Sequence, residues 1–472
     1  MRRVLLTAHK FFPQHRAGTE VLTLKIAQEL QSRGATVKVV AGNPPDLDAR
    51  RQAVAGAHVS DYEHEGIAVH IVEEGMRLEE YGFSYEYYHP LIKRHFLGLI
   101  DDFQPDIVLV VHAQNLSASI VEACKERNVP VVFYSTDFWF VCPIVQLTRP
   151  DGAVCRGPGP LALKCLDCYT PKLLPPEDEI TEAIAAKYQP FGSALASLPP
   201  LGRQAASFAL ANLYRAAKAP AAVQATLERP SVLRSLANDF AKIMVPTRLM
   251  RDIFTENGID SALIKHVPFG IDTSKLIGHR TKKASPLLRI GYIGTFFEHK
   301  GVDLLIRAFL DLPLESRQVS ELKLYGDLKQ FPEYGAKLQK MAAPGSDKGR
   351  TIKFLGTFPN DELGSVLEEI DVLVVPSRWY ENTPLVMQSA LATGTPLIVT
   401  NLGGMAELVK HGENGLLFKL NDSDSLRAQL LSILKDRAML KRMSENIKEE
   451  RTVADMVNDI ESVFEEVLTV RR

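Results

Sequence analysis

Short, nearly unbroken apolar runs separated by amphipathic stretches set the rhythm of this chain. Val4–Thr7, Thr36–Ala41, Ile107–Val111 and Val131–Tyr134 are such runs, followed by Lys242–Val245, Leu288–Ile293, Leu322–Tyr325 and Ile352–Leu355. Asp371–Pro376 and Pro396–Val399 complete the set. Runs of this length without polar alternation read as strands buried on both faces, the habit of parallel sheets. After the first of them, Glu20–Arg33 places Leu22, Ile26, Ala27 and Leu30 on one helical face and stops at Gly34. Strand alternating with helix predicts an α/β protein built from βαβ units. The polar run Thr273–Ser285 reads as a linker. The pattern therefore divides into a Rossmann-like domain over residues 1–272, a linker over 273–287 and a second Rossmann-like domain over 288–450. A closing segment covers 451–472, and its helix near Val453–Val470 has the periodicity to pack back on the first domain. A Cys-rich loop and a helical insert occupy about residues 138–240, mostly helical and Ala/Leu-rich from Pro175 to Phe240.

The stretch from Asp371 to Gly404 concentrates the chemistry. A buried strand is followed by the polar loop Ser377–Glu381, and Thr383-Pro384 then opens a helix, with Thr as a preferred cap and Pro suited to the first turn. Gly394 ends that helix, a second strand follows, and Gly403-Gly404 make a tight turn. In such a unit the helix N-terminus lies at the carboxyl end of the sheet, where unpaired N–H groups and the helix dipole attract phosphate. Glu381, at the loop tip, is placed to accept hydrogen bonds from hydroxyl groups. Anion at the helix end and hydroxyls at a carboxylate describe a nucleotide sugar.

Composition removes other classes. The apolar share of 46% and charged share of 24% are those of a globular protein, and a formal charge of −2 supplies no basic field for nucleic acid. The opening MRRVLLTAHKFF has too short an apolar run for a signal core or a membrane span, so a cytoplasmic, non-spanning protein is expected. The first strand–loop–helix has no GxGxxG, which argues against a tightly held dinucleotide. His112 follows one strand directly and Thr136-Asp137 follow the next, at the carboxyl ends that face the expected cleft. His112 fits a structural hydrogen-bonder as well as a ligand contact. Two DxD strings, Asp46/Asp48 and Asp422/Asp424, do not end a buried strand and read as loop and cap residues rather than a manganese site.

Ser377–Glu381, Pro384, Gly394-Thr395-Pro396 and Gly403-Gly404 resemble the donor-binding segment of glycosyltransferase family 4, retaining enzymes of the GT-B fold. The resemblance implies two Rossmann-like domains facing a cleft and a donor site at Glu381, Asn382, Thr383, Leu385 and Ser389. In that family the first glutamate of this segment touches the donor sugar and matches Glu381; the second, which holds the ribose, falls on Ser389. The family's basic pair for the diphosphate falls on Thr295 and Lys300, and its Gly-Gly pair in the first loop falls on Ala17-Gly18. The usual catalytic-site His falls on Thr136, leaving Thr136, Asp137 and His112 for the acceptor and sugar side. Phe269–Asp272 resembles the family's hinge turn, and Phe354–Phe358 the segment edging the base.

Four of the five cysteines, Cys142, Cys155, Cys165 and Cys168, lie close together in sequence and end in a C-x-x-C pair. The spacing suits a structural zinc held by four thiolates; reduced packing thiols, or redox chemistry, remain open. A subset of the resembling family has the same DFW…CP entry and trailing C-x-x-C. From Gly202 to Phe240 there are five basic and two acidic residues, which fits a solvated helical insert or peripheral contact with a membrane carrying a lipid-linked acceptor.

The expected function is transfer of a sugar from a nucleotide-sugar donor to an acceptor hydroxyl, in polysaccharide or glycolipid synthesis. Glu381 and Lys300 carry the chemistry, and no catalytic metal or cofactor is called for. Two other classes stay open: a catalytically weak nucleotide-sugar-binding partner subunit, motivated by Thr136, Thr295 and Ser389, and another GT-B enzyme such as a phosphorylase or epimerase.

Overall fold

The apolar runs become the strands of two separate sheets. The computed structural model describes residues 2–42, 57–74, 82–174, 176–343, 351–448 and 450–469; Asp46 and Asp48 lie outside them. The first sheet contains β1 (Arg3–Ala8), β2 (Thr36–Gly42), β3 (Ala57–His64), β4 (Ile67–Glu74), β5 (Ile107–Val110), β6 (Val131–Tyr134), β7 (Lys242–Val245) and β8 (Ile264–His266), in the order β3-β4-β2-β1-β5-β6-β7-β8. The second contains β9 (Leu288–Ile293), β10 (Ser320–Tyr325), β11 (Thr351–Gly356), β12 (Val372–Val375), β13 (Leu397–Thr400) and β14 (Gly415–Phe418), in the order β11-β10-β9-β12-β13-β14. Within the sheets every pairing is parallel except the β3–β4 hairpin.

Each sheet is covered on both faces, which is why its strands carry no polar alternation. Leu5, Val108 and Val110 point into one apolar layer, while Val4, Leu6, Ile107 and Leu109 point into the other. Chain order reverses between β1 and β5 in the first sheet and between β9 and β12 in the second. Loops at the carboxyl ends of strands at such a reversal splay apart and leave a crevice. His9 and His112 leave the first sheet there; Gly294–Lys300 and Ser377–Glu381 leave the second.

The helices that flank these sheets include α1 (Gly18–Ser32), α2 (Pro200–Ala237), α3 (Arg248–Glu256), α4 (Leu385–Ala392), α5 (Gly403–Leu408) and α6 (Val453–Thr469). α6 belongs to the first domain by packing: Met456, Val457, Ile460, Val463 and Phe464 are buried in the same layer as Val4, Leu24 and Ile26. The backbone therefore passes between domains twice, and the two passages bond to each other. Ile271 N–H donates to the Arg451 carbonyl at 3.0 Å, and Val453 N–H donates to the Ile271 carbonyl at 3.1 Å. Gly270 makes the approach feasible, since a Cβ there would stand 2.0 Å from the Thr452 carbonyl oxygen.

The segment read as a linker is tied to the second domain. His279 Nδ1 pairs with Glu368 at 2.6 Å, Lys282 donates to the Leu367 carbonyl at 2.8 Å, and Leu276 is buried beside Ala392. Its polar composition reflects a surface layer held by side chains rather than a free spacer. The hairpin β3–β4 and the short strands β8 and β14 add to the elements expected from the apolar pattern.

Candidate functional site

Glu381 sits in the loop after β12 and is buried, not raised on a loop tip. Its Oε1 accepts three hydrogen bonds: from Lys300 Nζ at 2.6 Å, Trp379 Nε1 at 2.7 Å and Ser377 Oγ at 2.8 Å. Burial by itself pushes the carboxyl upward, but the Lys300 ammonium and the three donors outweigh it and hold Glu381 below its usual value. It is therefore an anion at neutral pH. Lys300 comes from the loop after β9, the strand beside β12 in the sheet, and its ammonium lies 5.1 Å from the centre of the Trp379 ring. The same indole thus orients both partners. Gly301 lets the loop turn: it takes a φ of +70°, and a Cβ there would meet the Pro376 carbonyl oxygen at 2.1 Å. His299 packs against Trp379 at a tilt of 52° with ring centres 4.6 Å apart. Burial, with Lys300 adjacent, pushes its pKa down to about 4, so it is a neutral wall of the site.

Asn382 bridges the two domains, its side-chain amide donating to the Thr136 carbonyl. Thr383 Oγ1 turns to the Asn382 carbonyl, and Pro384 rather than Thr383 stands at the cap position of α4. The helix begins one residue later than expected because Pro384 has a helical φ but an extended ψ of 122°. Leu385 packs against the first-domain core. Ser389 is buried and donates to the Leu385 carbonyl at 3.0 Å, the ordinary habit of a helical serine. Its neighbour Gln388 donates across to the Phe269 carbonyl at 2.8 Å. Two further closures come from α5: Glu407 accepts from the Arg248 and Leu249 N–H groups at 2.9 and 2.7 Å, capping α3 from the opposite domain.

Facing this loop, the first domain presents four titratable groups, three after strand ends and one in the first turn of α1. His112 Nδ1 accepts from Gln114 N–H at 3.0 Å, which places the neutral ring's proton on Nε2, where it donates to Asp137 at 2.5 Å. Both ring nitrogens of His112 are thereby committed to the protein. Burial raises the Asp137 carboxyl, but the His112 and Trp139 N–H contacts outweigh it and hold the group low. His9 stacks on His112 with ring centres 4.5 Å apart and lies 3.4 Å from Glu20, in the first turn of α1. Burial lowers His9 to about 3 and raises Glu20. His9 Nδ1 and Glu20 Oε2 are buried without a protein partner. Thr136 has its hydroxyl 3.4 Å from the Val111 carbonyl, and Gly18 opens α1 with free space where a Cβ would lie.

Residues 279–450 match the glycosyl transferases group 1 model, and residues 16–145 match the glycosyltransferase family 4 model. Among solved structures, the chain is similar over 99% of its length, and 100% of the other chain, to Anabaena Alr3699/HepE in complex with UDP and glucose, with a TM-score of 0.62 at 16% identity. Sucrose-phosphate synthase from Thermosynechococcus elongatus superposes over 100% of both chains with a TM-score of 0.62 at 14% identity. The chain has the GT-B fold. Sequence relatives are more partial. An uncharacterised glycosyltransferase of Methanocaldococcus jannaschii is 31% identical over 34% of this chain and 41% of its own. N-acetyl-alpha-D-glucosaminyl L-malate synthase of Bacillus anthracis is 27% identical over 50% of this chain and 59% of its own. These matches span less than two thirds of either relative.

On this GT-B frame the structure brings Lys300, Glu381, Asn382, Thr383 and Leu385 together with Thr136 at the domain junction. Asp137 is the next residue and carries His112 with it. Ser389 lies within the helix. Trp379, His9 and Glu20 were not singled out from sequence. Trp379 carried a signal, an aromatic two residues before the key glutamate in the same polar loop; His9 and Glu20 are joined only by the fold. The four cysteines gather in the insert, where burial pushes Cys165 up to about 12, with Cys142, Cys168 and Cys155 adding to the rise. Gly157 N–H donates to Cys155 Sγ at 3.4 Å. Among the described residues no three His, Cys, Asp or Glu side chains stand at positions that would hold a metal ion.

Proposed function

We propose that this protein transfers a sugar from a nucleotide-sugar donor to an acceptor hydroxyl with retention and without a catalytic metal. The observation that carries the reading is the Glu381–Lys300 ion pair, fixed by Trp379 at the reversal point of the second sheet and beside the N-terminus of α4. The glycosyltransferase domains matched at both ends of the chain support it, as does the fold shared with a protein crystallised with UDP and glucose.

In this reading the donor diphosphate lies at the first turn of α4, whose leading N–H groups lack intrahelical partners, and Lys300 adds a full positive charge. The sugar's C1–O bond to phosphate breaks as the bond from C1 to the acceptor oxygen forms. The departing phosphate oxygen takes the acceptor proton, and Lys300 with the helix end stabilises the charge that develops there. Glu381 Oε1 is filled by three protein donors, so Oε2 is the edge offered to sugar hydroxyls. The acceptor enters from the side of Thr136 and Asp137.

Incubating the purified protein with UDP-, GDP- and ADP-sugars should release one nucleoside diphosphate in preference to the others. Binding of a nucleoside diphosphate with no turnover of any donor would leave a binding subunit as the reading. The Ser389 hydroxyl, turned back on its own helix, is the observation that favours that alternative.

A further inference from the structure

Helix α2 is half built into the protein and half displayed. It spans 38 residues, about 57 Å of helix. In its second half Ala222, Ala225, Thr226, Arg229, Leu233 and Leu236 are buried, and Arg229 reaches the Trp139 carbonyl at 3.0 Å. The first half presents an outward face that the protein does not cover. Leu201, Ala205, Phe208, Leu213 and Ala216 are all exposed, and at 100° per residue they fall within an arc of about 140°. Leu201 is 81% exposed, Phe208 61% and Leu213 70%, the residue types least suited to water. The one polar side chain within the arc, Asn212, spends its amide on the Phe208 carbonyl at 2.8 Å.

Charge around this face is one-sided. Between Glu182 and Glu228 the sequence has no acidic residue, against Lys187, Arg203, Arg215 and Lys218, in a chain whose formal charge is −2. Arg215 lies about 20° outside the arc, and Arg203 and Lys218 lie about 80° beyond its two edges. An exposed apolar stripe flanked in this way by basic residues is the pattern of a helix lying in the headgroup layer of a membrane, where apolar burial and attraction to anionic lipid add. A second copy of this chain is a poorer occupant, because a two-fold pairing of the stripe would set the basic residues against their own images. No helix among the described residues is long and apolar enough to cross a membrane, so the contact lies on the surface. We propose that the outward face of α2, from Leu201 to Ala216, docks the protein on an anionic lipid bilayer. The proposal does not depend on the reading of the donor site.

Sedimentation with vesicles of mixed phosphatidylglycerol and phosphatidylcholine tests this. The full chain should pellet with them, stay in solution with phosphatidylcholine alone, and be released by high salt. The double variant Phe208→Glu/Leu213→Glu should bind roughly tenfold more weakly or worse, with an unchanged melting temperature, since both side chains are exposed. Phe208→Gln, a milder change, should fall between it and the unaltered chain. Failure of the folded protein to pellet with anionic vesicles overturns the proposal, as does equal binding by the double variant. A concentration-dependent dimer in ultracentrifugation that the same substitutions dissolve would assign the face to self-association instead, and also overturns it.

Discussion

Without the Lys300 ammonium, the Glu381 carboxylate would keep only the Ser377 hydroxyl and the Trp379 indole as donors to Oε1. Without the carboxylate, the ammonium would rest over the Trp379 ring with its partner gone. Each change disturbs both members, so their effects should not add. Lys300→Ala and Glu381→Gln are each expected to slow sugar transfer about 10²-fold, and the double variant to cost less than the product of the two, read from kcat/KM. Stability responds as well, because the carboxylate is buried rather than raised into solvent: Lys300→Ala should destabilise by about 1–3 kcal/mol, seen in a denaturant midpoint. Ser389 is a contrasting case. Its hydroxyl is satisfied within α4, so Ser389→Ala should leave nucleoside diphosphate affinity unchanged in calorimetry. A large loss would place the hydroxyl on the ribose after all.

At the scale of elements, strands buried on both faces were legible because burial on both sides forces a continuous apolar run. Val131–Tyr134, Lys242–Val245 and Leu288–Ile293 form strands with the limits expected. The hairpin β3–β4 was less visible, since β3 at the sheet edge is largely exposed and polar; its turn did carry a cue in Glu65-Gly66, both with positive φ. β8 (Ile264–His266) has one apolar residue, and β14 opens on Gly415 with only Leu416–Phe418 apolar, so neither shows a run of the kind that marks the others. In the site, Glu381 and Lys300 were legible because loops after buried strands gather at one edge. The His9–Glu20 and His112–Asp137 contacts were not, because the first joins a strand end to the following helix and the second joins two strand ends, pairings set by the tertiary fold. The cysteine loop belongs at this scale too. We propose that zinc draws Cys142, Cys155, Cys165 and Cys168 together, because their sequence spacing and closing C-x-x-C suit a four-thiolate site, although as they stand the described side chains do not form one. Elemental analysis of protein purified without chelator should return about one zinc per chain; none, with every thiol open to titration, would leave the four as packing residues.

Across the whole molecule, the neck between the domains should make stability depend on pH. Burial pushes the Glu450 carboxyl up to about 7 despite Arg280 nearby. An unfolded chain loses that proton near 4.3. Between about 4.3 and 7 the folded state binds more protons than the unfolded one, so this group makes stability fall as pH rises through that window and costs its full amount above it. Glu450→Gln should therefore raise the denaturant midpoint at pH 8 and leave it unchanged at pH 4, with the difference growing between.

The return of α6 to the first domain also bears on how the protein is made. A ribosome delivers β1 before the second sheet and α6 after it, yet Met456, Ile460 and Phe464 fill the same apolar layer as Val4 and Leu24. The first domain thus completes its core only after the intervening sheet β9–β14 has emerged, and that sheet can close while the first waits with a layer open. Nascent chains spend that interval with hydrophobic surface showing near α1, the place where a holding chaperone would bind and where a premature stop codon would do its harm.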